Sequence, residues 1–348
     1  MSYQKHCVGI DISQKDFTAC ICSLKEDFEL DFSKVEVFPN TKQGFNQLNR
    51  WVNKQVKTKE PISFLMEATG VYYENLAYHL SKIKKQVHVV LPNKSKHYFA
   101  SLNIKSKTDS IDAKVLSQFG VERKHTPWQQ PKEIYIQLRN LTRYLVQLQE
   151  QRTSLSNIEH SKQAAHEMQS FILSSNRKLI KGIDKQIDSC KLEIEKLVSS
   201  DEELNQRIEK ICTIKGVGFM TVVTIVAETL GFDQFRSLKQ LASYSGYDIV
   251  QRESGTSIRG KSRISKKGNR YIRKALYFPA MVASRHNEEL KNFYHRVNEN
   301  KPSKMIGQVA VQRKLLALVY TLWKNNEIYD PNKKVAQTNL VQATQDNL

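Results

Sequence analysis

The 348-residue sequence is poor in cysteine and contains no long apolar run. Its five cysteines are scattered, and none belongs to a Cys-x-x-Cys pair: Cys7, Cys20, Cys22, Cys190 and Cys212. We interpret them as free buried thiols of a reducing compartment rather than as metal ligands or disulfide partners. No stretch approaches the ~20 apolar residues of a membrane-spanning helix, and no signal peptide precedes the first strand-like segment. These absences predict a soluble, cytoplasmic protein.

Acidic residues are also scarce relative to basic ones. The sequence has 35 Asp and Glu against 54 Lys and Arg, which gives a formal net charge of +19. Residues 208–348 hold 23 basic and 11 acidic residues, whereas residues 131–207 are nearly balanced, with 12 against 11. So large an excess implies a polyanionic partner. Nucleic acid is the first candidate, and an anionic membrane surface is the second.

The pattern of apolar residues divides the chain into regions. In residues 1–130, short strands alternate with amphipathic helices, which is typical of a layered α/β domain with a mixed sheet. In residues 131–207, apolar residues recur at steps of four and three, which predicts two long helices paired as a coiled coil, within the chain or between subunits. Residues 208–330 are expected to be mainly α-helical, and residues 331–348 to form a polar tail.

Two glycines, Gly216 and Gly218, stand between helical patterns in the third region. The arrangement is similar to a helix-hairpin-helix turn, in which backbone N–H groups face a phosphate. Glycines also end helices in many other contexts. The pattern alone leaves both interpretations open.

Four carboxylates are candidates for a metal site. Asp11 and Glu67 each end an apolar strand, which places them at the rim of the sheet, where sites of α/β domains gather. Asp109 and Asp112 lie three residues apart at a predicted helix start, so they share one face. Carboxylates that converge in this way repel one another unless cations lie between them, and Mg²⁺ prefers such oxygen ligands. Taken alone, Asp109 could equally be an N-cap with Asp112 favourably placed on the helix dipole, and Asp11 could begin a turn. The combination of two strand-end acids and one helical pair favours a metal site.

Residues 246–270 form a basic segment rich in glycine and serine. Arginine and lysine in such a segment can bind phosphate. The candidates within the segment are Arg252, Arg259, Lys261, Arg263, Lys266, Lys267 and Arg270. Arg273 follows the segment, and Lys107 of the first region, two residues before Asp109, is a further candidate. Ser254 could attack a phosphodiester if its proton is removed, but the segment contains no histidine to form a local triad. On chemistry alone Ser257, Ser262 and Ser265 are equally available, and a segment that only holds a nucleic-acid backbone is the simpler interpretation.

Several motifs, in their order and spacing, resemble a known family. They are residues 9–11, 67–70, 107–113, 216–218, 253–255 with 259–260, and 264–269 continuing into 273–276. The chain resembles the insertion-sequence transposases that carry an N-terminal DEDD-type RuvC-like domain and a C-terminal transposase domain with a catalytic serine. The resemblance implies an RNase H-like fold for residues 1–130 and a transposase domain in residues 208–330.

The resemblance also implies functions for particular residues. Asp11, Glu67, Asp109 and Asp112 correspond to the Mg²⁺-binding carboxylates, and Ser254 corresponds to a nucleophile that forms a covalent phosphoserine link to DNA. The family further implies a composite site between subunits, a homodimer that assembles into a homotetramer, and a structured non-coding bridge RNA that pairs with donor and target DNA.

On this interpretation the protein is a transposase that recombines DNA. Two other functions stay open from the residues. One is a metal-only nuclease of the junction-resolvase type, in which Ser254 contacts a phosphate. The other is a non-catalytic scaffold that binds RNA.

Overall fold

The computed structural model describes residues 3–57, 62–163, 169–250, 253–254, 258–259 and 263–331. The chain divides into two compact units, Met1–Gln130 and Pro131–Leu348. The further division of the second unit into a spacer and a transposase domain stays a prediction.

The described strands of the first unit form one mixed sheet. They are β1 (Tyr3–Ile12), β2 (Asp16–Lys25), β3 (Leu30–Phe32), β4 (Glu36–Pro39), β5 (Ile62–Glu67) and β6 (Gln86–Val90). The strand order is β3-β2-β1-β5-β6, and β4 pairs with β2. β1 is antiparallel to β2 and parallel to β5, which is parallel to β6. The carboxyl ends of β1, β5 and β6 therefore lie at the same edge of the sheet.

Helices cover both faces of this sheet. They are α1 (Lys42–Gln55), α2 (Glu74–Lys82), α3 (Pro92–Ser101) and α4 (Asp109–Glu122). Alternate residues of a strand point to opposite faces. Val8 of β1 therefore joins a core with α1 and α2, whereas Cys7 joins a second core with α3 and α4. This layered α/β arrangement agrees with the architecture predicted for residues 1–130.

The second unit is mainly helical. Its elements are α5 (Glu133–Gln163), α6 (Ser170–Ser199), α7 (Glu202–Cys212), α8 (Phe219–Glu228), a 3-10 turn (Leu230–Phe232), α9 (Leu238–Ser245), β7 (Ile249–Val250), β8 (Glu253–Ser254), β9 (Ile258–Arg259), β10 (Arg263–Ile264), α10 (Arg270–Ala275), α11 (Tyr277–His286), α12 (Glu288–Asn298) and α13 (Met305–Asn325). β7 pairs with β10, and β8 pairs with β9. In the part of the chain that the structure describes, none of the helices has the length and apolar character needed to cross a membrane.

The two long helices predicted for residues 131–207 correspond to α5 and α6, which pack against each other within the chain. Leu138, Leu145 and Leu148 are buried on α5, and Ile187 and Ile194 are buried on α6. Polar contacts continue the pairing: Arg152 forms an ion pair with Asp184, and Asn176 Nδ2 donates to Leu155 O at 2.8 Å. The supercoiled geometry of a coiled coil stays a prediction.

Gly216 and Gly218 lie in the turn between α7 and α8, as the sequence predicted. Gly216 has a φ of 97°, and a Cβ there would lie 3.1 Å from Ala283 N and 3.3 Å from Pro279 O. Packing against α11 is thus a sufficient reason for this glycine. Gly218 is exposed, and apart from its chain neighbours no described atom lies within 4 Å of the position a Cβ would take. A helix-hairpin-helix function for this turn stays a prediction.

Candidate active site

Asp11 and Glu67 lie side by side at the carboxyl edge of the sheet. β1 and β5 are parallel, and Ile10 is in register with Met66, so the next residues along the two strands are Asp11 and Glu67. Glu67 is also in register with Val90 at the end of β6. Both acids are half-buried. The structure thus brings together the two strand-end acids that the sequence predicted.

Helix α4 brings the other two acids to this edge because it packs directly on β1. Cys7, Gly9 and Asp11 share one face of the strand, since alternate residues point the same way. A Cβ at Gly9 would lie 2.0 Å from Ser117 N, and a Cβ at Gly120 would lie 2.1 Å from Cys7 Sγ. Residues 7 and 9 therefore face successively earlier turns of α4. Continuing that order by two residues places Asp11 at the first turn of the helix.

That first turn holds Asp109 and Asp112, but neither is the N-cap. Thr108 caps α4, because its Oγ1 accepts a hydrogen bond from Ile111 N at 3.3 Å. The alternative that Asp109 caps the helix is therefore wrong. The cap is already supplied by the preceding residue, which leaves both carboxylates for other contacts.

Asp112 is the acid whose surroundings best suit a cation. Its side chain is 14% exposed, and its Oδ1 is buried with no hydrogen-bond partner among the described residues. Asp112 Oδ2 lies 3.8 Å from Lys107 Nζ, but that lysine side chain is 85% exposed, so the ion pair contributes little. A buried carboxylate oxygen without a partner is unfavourable. A cation ligand at Oδ1 would satisfy it.

The four acids influence one another electrostatically. Burial raises the pKa of Asp11 to about 6, and the charges of Asp112, Asp109 and Glu67 add to this rise. Burial also raises the pKa of Asp112, against the opposing charge of Lys107. Among the described residues, however, no three His, Cys, Asp or Glu side chains are close enough to hold one ion. The acids form an open cluster, and Mg²⁺ sites of this kind keep water and phosphate oxygens as further ligands.

We predict that Asp11→Asn stabilises the metal-free protein at pH 8 but not at pH 4. The pKa of Asp11 rises from 3.8 to about 6 on folding, so its ionisation opposes folding as the pH increases through that window. The neutral amide removes this penalty, which is on the order of 1 kcal/mol after solvent screening. Thermal unfolding in EDTA at both pH values measures the effect. Equal stabilisation at pH 4 and pH 8 would contradict an electrostatic origin.

Two hydroxyl groups that the sequence predictions did not include orient Glu67. Ser95 Oγ donates to Glu67 Oε2 at 2.6 Å, and Thr69 Oγ1 donates to Glu67 Oε1 at 3.2 Å. Ser95 is only 1% exposed and lies in the first turn of α3, directly after β6. A serine at the start of the helix after a neighbouring parallel strand was the signal available in the sequence.

We predict that Ser95→Ala weakens divalent-metal binding about tenfold, because an unsupported Glu67 carboxylate loses its orientation. Calorimetric titration with Mn²⁺ as a probe measures this. Ser101→Ala is the matched control on the same helix, because Ser101 Oγ donates only to the Tyr98 carbonyl at 2.6 Å. The same Mn²⁺ affinity in the Ser95 and Ser101 variants would contradict a positioning function for Ser95.

The serine segment is described in part. Ser254 lies in β8 opposite Ile258 of β9, and Glu253 lies opposite Arg259. Nothing is described of these four side chains. Other sequence candidates lie wholly outside the described residues: Arg252, Ser257, Lys261 and Ser262.

Ser265 is the serine candidate whose contacts are described. Its Oγ donates to Asp248 Oδ1 and accepts a hydrogen bond from Lys267 N at 3.2 Å. A hydroxyl held by these two contacts stabilises a turn and is poorly placed to attack a phosphate. Ser265 is therefore a weaker nucleophile candidate than the sequence alone indicated.

The candidate cations in and just after this segment whose side chains are described fall into two groups. Four are exposed and can contact a nucleic-acid backbone: Arg263, Lys266, Lys267 and Arg270. The fifth, Arg273, uses its guanidinium within the chain, where it donates to Ser245 O at 2.7 Å and to Asn269 O at 3.3 Å. Its main contact is thus with the end of α9.

A buried ionic network fixes the end of this segment. Glu228 is 1% exposed and accepts two hydrogen bonds from Arg143, at 2.7 and 2.8 Å. It also accepts one from Asn269 Nδ2 at 2.6 Å, while Asn269 Oδ1 caps α10 by accepting from Tyr271 N at 2.9 Å. The network joins α5, α8 and α10. It was not predicted from the sequence.

Comparisons with known proteins agree with this architecture. Residues 8–161 match a family described as Transposase, and residues 208–295 match the Transposase IS116/IS110/IS902 family. The chain has an α/β unit with acids at one sheet edge and a basic helical unit. With these matches, the protein is a transposase, an enzyme of DNA recombination. Within that class, the chain is similar to the IS110 family in both matched regions.

Particular relatives extend this finding over most of the chain. The pilin gene-inverting proteins of Moraxella bovis and Moraxella lacunata are each 29% identical over 324 residues, which cover 93% of this chain and 97% of the relative. An uncharacterized 43.6 kDa protein of insertion element IS110 from Streptomyces coelicolor is 21% identical over 120 residues, 34% of this chain and 29% of that protein. Among solved structures, T. thermophilus RuvC in complex with a Holliday junction substrate matches with 11% identity and a TM-score of 0.27, covering 35% of this chain and 99% of that one.

Proposed function

We propose that the protein exchanges DNA strands in a Mg²⁺-dependent reaction through a covalent phosphoserine at Ser254, guided by a structured non-coding RNA. The observation that carries the proposal is the carboxylate cluster at the edge of the sheet, where a buried oxygen of Asp112 has no partner among the described residues. Relatives named as pilin gene-inverting proteins support recombination rather than hydrolysis, because an inversion rejoins every strand that it breaks.

Asp11, Glu67, Asp109 and Asp112 would hold the metal ion. They offer only carboxylate oxygens, which suits Mg²⁺. When bound, Mg²⁺ supplies positive charge that polarises the scissile phosphate and stabilises the departing oxygen. Ser95 keeps Glu67 oriented toward the cluster.

The exchange consists of two transesterifications. In the first, Ser254 Oγ loses its proton and bonds to phosphorus, while the bond from phosphorus to the 3′ oxygen breaks and that oxygen leaves as a hydroxyl. In the second, the 3′-hydroxyl of the partner strand loses its proton and bonds to the phosphorus, while the bond from phosphorus to the serine oxygen breaks and that oxygen regains a proton. The number of phosphodiester bonds is conserved, so no high-energy cofactor is required.

The exposed lysines and arginines around residue 265 would neutralise the nucleic-acid backbone, which gives affinity without sequence readout. We therefore propose that base pairing with a guide RNA selects donor and target DNA. We also propose assembly of a homodimer into a homotetramer, with the acids of one subunit acting on the serine of another. Exposed apolar side chains toward the joined ends of α5 and α6 support a contribution of this arm: Ile158, Phe171, Ile172 and Leu179.

One experiment tests the proposal. RNA that copurifies with the protein is sequenced, and labelled donor and target DNA matched to it are incubated with the complex and Mg²⁺. We expect joined strands and a protein–DNA adduct that survives denaturing electrophoresis, with mass spectrometry locating the link at Ser254. Cleavage without an adduct would favour the metal-only nuclease, which activates water. A complex that neither cleaves nor joins DNA would contradict catalysis.

A further inference from the structure

An apolar groove lies beside the strands that flank the serine segment. Its volume is about 470 Å³, and Ile264 of β10 forms part of its lining. β10 pairs with β7, with Ile264 opposite Ile249. These two strands stand immediately before and after residues 251–262 in the sequence. The groove is therefore next to a strand pair whose members directly precede and follow the Ser254 segment in the sequence.

Aromatic rings give the groove a preformed stacking surface. Tyr277 and Phe278 begin α11 with ring centroids 5.2 Å apart at 83°, and the Phe278 side chain is 71% exposed. Gln308 Nε2 of α13 donates to Tyr277 O at 3.1 Å, which fixes the backbone beneath the rings. Met305 lines the groove and is itself 51% exposed. Exposed apolar surface of this kind in a basic unit marks a binding site.

Cations border the apolar lining. Lys266 and Arg273 line the groove, and Lys266 is exposed, whereas Arg273 donates to Ser245 O. Lys274 also lines it and forms a 2.9 Å ion pair with Glu150. Lys266 is thus the lining cation best placed to contact a ligand. Exposed Lys267 is its neighbour in the sequence.

Aromatic rings bordered by positive charge suit a nucleobase attached to its phosphate backbone. An apolar peptide would match the rings but not the charge. Bases within a duplex stay stacked and cannot enter a groove. Strand exchange next to Ser254 requires DNA bases that have left the duplex, which favours DNA as the source of the base.

We propose that this groove binds an unpaired base of the exchanging DNA strand, which stacks on Phe278 with the Tyr277 ring at its edge, while Lys266 contacts the adjoining phosphate. The inference rests on the proposed function, because it takes the recombining DNA strand as the ligand. It adds a site that holds a melted base close to the reacting serine.

Binding of a DNA oligonucleotide that contains 2-aminopurine tests the groove, with the full-length protein in EDTA. Stacking quenches the fluorescence of this base. We expect Phe278→Ala to reduce quenching and to weaken single-stranded DNA binding about tenfold, with duplex binding unchanged. Phe278→Trp should retain both properties. Phe28→Ala is the matched control, because Phe28 is 75% exposed in the turn between β2 and β3 of the first unit and does not line the groove.

Other outcomes would overturn the proposal. Unchanged single-stranded binding by Phe278→Ala, or an equal loss of duplex binding, would exclude base stacking. A Phe278 effect confined to RNA oligonucleotides would exclude DNA as the ligand. A change in sedimentation without any change in oligonucleotide binding would assign the groove to a protein partner. Because no metal and no reaction are involved, failure of this assay leaves the phosphoserine proposal standing, and failure of the phosphoserine proposal does not alter this readout.

Discussion

Ser254→Ala is expected to abolish both the covalent protein–DNA adduct and strand exchange, while binding of RNA and DNA is retained. The alanine has no oxygen to form the bond to phosphorus, and the proposed reaction has no second route that conserves the phosphodiester. Loss of a nucleophile lowers turnover by about 10⁴-fold or more. Adduct formation on labelled DNA and joined product, both measured by gel electrophoresis, report the result.

Two serine variants serve as controls for this prediction. Ser243 is exposed on α9 and contributes no described side-chain hydrogen bond, so Ser243→Ala should behave as the wild type. Ser265→Ala removes the contacts of that hydroxyl with Asp248 and Lys267, so it should reduce stability and still form the adduct. An adduct at the wild-type level in Ser254→Ala would contradict the assignment and direct the search to Ser257 or Ser262.

The strand-end acids could be predicted from the sequence because the signal is local. An apolar run that ends in a carboxylate defines both the strand and its rim. Thr108, the residue before the helix, offered an equally local signal for the N-cap and was overlooked in favour of Asp109. The register that sets Asp11 beside Glu67 had no local signal, because strand pairing joins residues far apart in the sequence.

The structural features that the sequence did not predict depend on tertiary contacts or belong to short elements. Arg143 and Glu228 are 85 residues apart, and neither side chain alone indicates the other. β3 has only 3 residues, too few for a periodic pattern. The expectation that residues 208–330 are mainly helical did not include the break at Leu276, which divides α10 from α11. Pro279 lies in the first turn of α11, where its missing N–H is tolerated.

Gly9→Ala is expected to lower the stability of the first unit by about 3 kcal/mol and to disrupt the carboxylate cluster. The added Cβ would lie 2.0 Å from Ser117 N and 2.3 Å from Ala113 O. Both are backbone atoms of α4, so no side-chain rotation can relieve the contact, and the helix must move away from β1. Its first turn carries Asp109 and Asp112, so these carboxylates would move away from Asp11. Denaturant unfolding and Mn²⁺ titration measure the two effects.

Gly182→Ala separates the packing effect from the general effect of replacing a glycine. Gly182 lies inside α6, and apart from its chain neighbours and the adjoining backbone of the helix, no described atom is within 4 Å of the position a Cβ would take there. Alanine has the higher helix propensity, so this variant should gain up to about 1 kcal/mol in stability. A loss of stability in Gly9→Ala together with a gain in Gly182→Ala would show that close β1–α4 packing, rather than backbone freedom, explains the glycine at position 9. If Gly9→Ala retained wild-type stability and Mn²⁺ affinity, direct contact between strand and helix could not be what holds the four acids together.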